Sequence, residues 1–299
     1  MAEIRASGTW GSALSTHEFA AIRSAGFEPV GQVLGAAVYN VGYAGGYACP
    51  SYPAFGSYNR MSPQLRASYG FAAISSAGGS AVYGPLVQTM YAARRAAIAR
   101  MTAECAQLGG HGVVGVSLTI GAFPAGGLEF KAIGTAVRAP GSPPLERPFT
   151  SDLSGQDFAK LIADGVVPVG LALGISIGSR HDDWLTRGQT RWGAGNTEVG
   201  GYTELVSRTR QDARNELSLD VARLGADGVV IQSMDMRIGE HECPAMEGAR
   251  DHMAEVTIIG TAITHFRSSR PAAERPSVAV LSLDPQRRQA ARVRLGQNR

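Results

Sequence analysis

Apolar residues recur at helical spacing in two long segments. In "PLVQTMYAARRAAIARMTAECAQL", Leu86, Met90, Ala97, Met101 and Cys105 form one stripe, and Gly109 ends the run. "YTELVSRTRQDARNELSLDVARL" reads as a second long helix, ended by Gly225. Beyond each helix the period changes to two. Val114, Val116, Leu118 and Ile120 alternate with smaller or polar residues, as do Val230, Met234, Met236 and Ile238 with Ser233, Asp235 and Arg237. This predicts a half-buried strand after each helix. "LEFKAIGTAV" and "AEVTIIGTAI" follow as closing strands. Ahead of each long helix lies a strand, "PVGQVLGAAV" or "PVGLALGISI", preceded by a short helix. Ser15-x-x-Glu18 and Ser154-x-x-Asp157 have the form of helix-starting capping boxes. The order helix, strand, helix, strand, strand therefore occurs twice.

The two halves align residue by residue. An offset of 139 lays "EFAAIRSAGFEPVGQVLG" over "DFAKLIADGVVPVGLALG". An offset of 116 lays "LGGHGVVGV" over "LGADGVVIQ", and one of 126 lays "AIGTAV" over "IIGTAI". Order is kept, and the offset changes only where loops differ. The chain reads as a tandem duplication with units at 1–140 and 154–266, a linker at 141–153 and a tail at 267–299. Each unit is expected to be α+β, a three-stranded sheet with one long helix on a face. The first unit carries an insertion, 40–84, rich in Tyr, Gly, Ser and Pro; the second has the longer final hairpin.

These blocks resemble the YbjQ-like family, labelled "putative heavy-metal-binding domain". Its pattern of a Val-x-Gly strand, an Arg/Ala-rich helix, a Leu-Gly-Ala-x-x-Val-Val segment and a closing Gly-Thr-Ala-Val is matched by "LGGHGVVGV" with "IGTAV" and by "LGADGVVIQ" with "IGTAI". The resemblance implies two fused copies with a dodecin-like β-α-β-β core and ring-shaped homo-oligomers, pentamers among them. It implies no reaction. For this chain it leads to the expectation of five chains forming two stacked rings of units.

Composition narrows the remaining classes. The net charge of +3 is misleading, because the tail holds eight Arg and two acids and the rest of the chain is slightly negative. The folded body is not a basic nucleic-acid-binding surface. Cys49, Cys105 and Cys243 form neither a CxxC motif nor an even set, so no disulfide framework is expected and a reducing, cytoplasmic location fits. No secretory signal is visible, and no run reaches the ~18 apolar residues of a membrane span. The GxxxxGK, HExxH and GxSxG motifs are missing, which lowers the standing of an enzyme without excluding one.

Three features invite a functional reading. His241, Cys243 and His252 in the second unit's hairpin loop offer imidazole and thiolate for zinc or a softer transition metal; the plainer alternative is a polar hairpin tip. "RHDDW" (Arg180–Trp184) is a weaker metal candidate, and His111 reads as a turn residue. The insertion, with Tyr43, Tyr47, Tyr52 and Tyr58, reads either as a mobile loop or as an interaction surface whose aromatics pack on a neighbour. The tail's apolar run, with Val278, Val280, Leu281 and Leu283, reads either as solvated or as a strand that docks on a sheet edge of a partner. The expected function is a ring-forming structural or interaction protein, with metal or small-ligand binding as the alternative and an enzyme third.

Overall fold

The computed structural model describes residues 11–41, 72–76, 83–124, 127–143, 145–243, 248 and 250–265. The insertion tyrosines Tyr43, Tyr47, Tyr52 and Tyr58, the thiol of Cys49 and the tail run of Val278, Val280, Leu281 and Leu283 lie outside them.

The elements follow in the order α1 (Thr16–Ser24), β1 (Glu28–Asn40), β2 (Ala72–Ser75), α2 (Gly84–Gln107), β3 (Gly112–Phe123), β4 (Gly127–Arg138), β5 (Phe149–Thr150), α3 (Gly155–Ala163), β6 (Val166–His181), α4 (Trp184–Gln189), α5 (Gly200–Arg223), β7 (Gly228–Glu242) and β8 (Arg250–His265). They build a mixed α+β structure with two sheets. Sheet 1 has the order β1-β4-β3-β5 and sheet 2 the order β2-β6-β8-β7.

The three long strands of each sheet repeat one another in register. Leu34 pairs with Ile133, and Ile133 with Ser117; their counterparts Leu173, Ile259 and Ser233 pair identically. Even the irregularities coincide, between Pro29 and Gly31 in β1 and between Pro168 and Gly170 in β6. The short helices start alike. Ser15 accepts the Glu18 N–H while the Glu18 carboxylate accepts the Ser15 N–H, and Ser154 accepts the Asp157 N–H.

Each sheet nevertheless has four strands, not three. The added strands are short and borrowed. β5 comes from the 141–153 segment and pairs in parallel with the start of β3. β2 comes from the 40–84 segment and pairs with the end of β6, in the other sheet. Nor does each sheet carry its helix on one face only. The odd-numbered residues of β6, Leu173, Ile175 and Ile177, pack against α2, and the even-numbered ones face α5. The layers therefore run sheet 1, α2, sheet 2, α5.

Two glycines set the closeness of this packing. A Cβ on Gly35 would collide with the backbone of α2 at Ala97, and one on Gly174 with α5 at Ala213. They are the same position of the repeat, so both units hold the long helix against its own sheet without an intervening side chain. The cores follow from that approach: Val33, Ala37, Ala97, Met101 and Phe130 in the first, Ala172, Ala213, Leu217, Val256 and Ile258 in the second.

Candidate functional site

Two places concentrate side chains that the fold does not use up. The first is the junction between the units. Here α2 lies against both sheets. The Tyr91 hydroxyl donates to the Leu173 carbonyl (3.3 Å) and accepts the Ile175 N–H (2.8 Å), closing part of the open edge of β6. Burial pushes the Tyr91 phenol up to about 12, so it stays protonated and able to donate. Asp220 of α5 accepts the Leu173 N–H (3.0 Å) and pairs with Arg95 of α2 (2.9 Å), linking the helices on opposite faces of sheet 2.

Between α2, β3 and sheet 2 lies a cavity of about 300 Å³. Its charged centre is Arg94, 5% exposed, whose guanidinium stacks over the Phe130 ring and reaches Thr257 at 3.5 Å. Burial lowers the Arg94 pKa to about 10, opposed by the negative charge of Glu255. Arg94 Nη1 has no hydrogen-bond partner among the described residues. This arginine is absent from the sequence candidates. The signal that would have found it is its repeat counterpart, Arg210, at the offset of 116.

The outer layers are left open. Strand β7 is the edge of sheet 2 and is exposed along most of its 15 residues. Ile231, Met234, Met236 and Ile238 stand on the side that faces α5 but beyond the helix, 40–58% exposed. On sheet 1, the face turned away from α2 shows Leu34 and Val38, each 48% exposed. Alternating apolar residues of β7 read as half-buried from sequence; in the structure nothing among the described residues covers them.

The second place is the far end of sheet 2, where β6, β8 and the β7–β8 hairpin meet. His181, Cys243 and Asp251 are buried there, and one donor atom of each lies within 4.8 Å of the others. His181 Nδ1 is 2.5 Å from Asp251 Oδ1. Burial pushes the Asp251 carboxyl up to about 7 and the His181 imidazole down, favouring the neutral form of each. Of the hairpin residues singled out from sequence, only Cys243 joins this cluster. His241 is exposed. His252 lies on the other side of β8, against Asp182 (3.1 Å) and the Tyr202 ring (centroids 4.3 Å apart). "RHDDW" divides similarly. His181 enters the cluster, Asp182 holds His252 and Tyr202, Asp183 caps α4, and Arg180 bridges Asp183 and Glu204. His111 accepts the Ala139 N–H at a turn. Spacing along the chain could not pair His181 with Cys243, because their meeting depends on the β6–β8 and β7–β8 registers together.

The donor set would suit a zinc-like or softer ion, with an imidazole nitrogen, a thiolate and a carboxylate to hold it.

The chain is built of two register-matched α+β units that leave apolar faces uncovered among the described residues. The model of the YbjQ family, described as "Putative heavy-metal-binding", matches residues 70–140 and 191–265, the long helix and last two strands of each unit. The chain is also 31% identical, over 259 residues and 84% of each chain, to encapsulin nanocompartment protein Rv1762c of Mycobacterium tuberculosis (strain ATCC 25618 / H37Rv). It belongs to the YbjQ family, as two tandem copies. No solved structure matches it. Among the described residues, no helix is long and apolar enough to cross a membrane.

Proposed function

We propose that the protein is a self-assembling structural component whose copies close into a homo-oligomeric ring, with five chains the expected number. The observation that carries this reading is β7, a long edge strand with a row of exposed aliphatic and Met side chains. A lone chain would expose unpaired backbone groups beside apolar surface, an arrangement that proteins otherwise blunt with charge, proline or cover. The relative's name, which ties that protein to an encapsulin nanocompartment, supports a role in assembly. Sedimentation of the full chain at micromolar concentration tests the reading: an oligomer supports it, and a monomer of 31.3 kDa refutes it.

One observation favours a second reading, metal binding, on the cluster of His181, Cys243 and Asp251. The family description, "Putative heavy-metal-binding", supports this reading, although His181 lies outside the matched residues 70–140 and 191–265. Elemental analysis after purification in zinc-containing buffer should find about one zinc per chain. Loss of that zinc in Cys243→Ala, with His241→Ala unaffected, would assign it to the cluster. Equal zinc in wild type and Cys243→Ala would remove the reading.

A further inference from the structure

We propose, on the basis of the self-assembly reading above, that copies join head to tail. In this arrangement α5 and β7 of one copy cover the outer face of sheet 1 of a second copy, with Arg210 of the first directed at Glu129 of the second.

The chain already contains this interface once. Inside it, α2 and β3 of the first unit pack on the outward face of sheet 2. Leu118 of β3 and Tyr91 of α2 meet Leu173, Ile175 and Ile177 there. Applying the repeat offsets to both sides gives the surfaces that are left open. Leu173, Ile175 and Ile177 correspond to Leu34, Ala36 and Val38 of sheet 1. Leu118 and Ile120 correspond to Met234 and Met236 of β7. The first group is packed against its neighbour unit and the second is partly buried by it. Of their counterparts, Leu34, Val38, Met234 and Met236 are 40–48% exposed. The two exposed stripes are therefore the two halves of one contact, lying at opposite ends of the chain's own layer order.

The charged centre repeats too. Within the chain, Arg94 projects from α2 into the cavity that Glu255 lines, and the two attract electrostatically. Arg210 and Glu129 hold the same two repeat positions, with both residue types kept. Arg210 lies on α5, the last layer, and Glu129 on the far face of sheet 1, the first layer, so one chain cannot bring them together. Arg210 Nε is buried without a hydrogen-bond partner among the described residues, as Arg94 Nη1 is. Glu129 is held by Lys131 at 3.3 Å. Lys131 takes the place of Thr257, so in the proposed contact it and Arg210 share one carboxylate. The hydroxyl of Tyr91 is not repeated, its counterpart being Ser207; the intermolecular contact thus lacks that bond and is expected to be weaker than the internal one.

A heterologous contact of this kind generates a ring when its rotation closes. The two units then alternate around a single ring, in place of two stacked tiers.

Blocking the two halves separately tests the proposal. One variant carries Leu34→Asp and Val38→Asp, the other Met234→Asp and Met236→Asp. All four positions are exposed in the single chain, so each variant should keep wild-type circular dichroism. Each alone should be monomeric, and an equimolar mixture should form a one-to-one dimer through its intact halves. As an independent check that adds no charge to an apolar stripe, Arg210→Glu should weaken assembly, and combining it with Glu129→Arg should restore it. If the wild type is an oligomer but either blocked variant keeps its mass, or forms a dimer by itself, the head-to-tail contact is wrong while self-assembly stands. A monomeric wild type would remove both.

Discussion

Gly174→Ala probes the close helix–sheet approach on which both units depend. The added Cβ would overlap the carbonyl oxygen of Ala213 and lie 2.9 Å from Leu217 Cβ and 3.1 Å from Leu217 N. Two of these neighbours are backbone atoms of α5, so no rotamer change relieves the clash. Since carbon and carbonyl oxygen settle no closer than about 3.3 Å, the helix has to retreat by about 1 Å. That separation loosens the packing of Ala172, Ala213, Leu217 and Ile258. Overpacking of this kind costs typically 1–3 kcal/mol, and because the clash is with backbone we expect about 3 kcal/mol. Against a total stability of about 5–15 kcal/mol this is large, and it corresponds to a fall in Tm of roughly 6–12 °C for a domain of this size. Urea denaturation read by circular dichroism should show a lower midpoint with an unchanged slope. Gly35→Ala should behave alike. Gly121→Ala is the control, because its Cβ would meet nothing within 4 Å. A Gly174→Ala protein within 0.5 kcal/mol of wild type would show that the close approach is not a constraint, and the argument from Gly35 and Gly174 would fail with it.

Further outcomes follow from other contacts. Asp220→Ala removes the acceptor for the buried Leu173 N–H and the partner of Arg95; it should cost about 1–3 kcal/mol, measured by the same denaturation, and an unchanged midpoint would contradict the role assigned to it. Burial pushes the Cys105 thiol up to about 12, so iodoacetamide at pH 8 should leave it unmodified in the native protein and alkylate it in urea, as mass mapping would show; rapid native labelling would contradict its buried placement. Ser154→Ala removes the acceptor for the Asp157 N–H at the start of α3 and should cost about 1 kcal/mol in denaturant, and no loss would show that this cap is not needed.

Much of the architecture was legible because it is written twice. A single alternation such as Met234, Met236 and Ile238 is ambiguous, but the same offset carrying Leu118 to Met234 and Ser117 to Ser233 marks a strand at the same place in both units. The short strands β2 and β5 were not legible, since four or two residues give no period to detect. Their pairing depends on where the neighbouring edges of β6 and β3 come to lie. The second helical face of sheet 2 was also hidden. Leu173, Ile175 and Ile177 on one side of β6 with Ala172 and Gly174 on the other signal burial on both faces, but not which helix supplies the second cover. At the candidate sites the lesson is similar. Cys243 was found by residue type, whereas His181 and Asp251 joined it only through antiparallel pairing far along the chain. Arg94 was missed because a lone arginine in a helix reads as solvated; only its recurrence as Arg210, with Glu129 and Glu255 recurring opposite, marks it as part of a contact.

On the proposed reading, this chain is a pair of units covered by further copies. Native mass spectrometry of the full-length protein at micromolar concentration tests it most directly. One closed species at a fixed multiple of 31.3 kDa, persisting on dilution, is the expected result. A single species at 31.3 kDa, with Leu34, Val38, Met234 and Met236 left open to solvent, would contradict it.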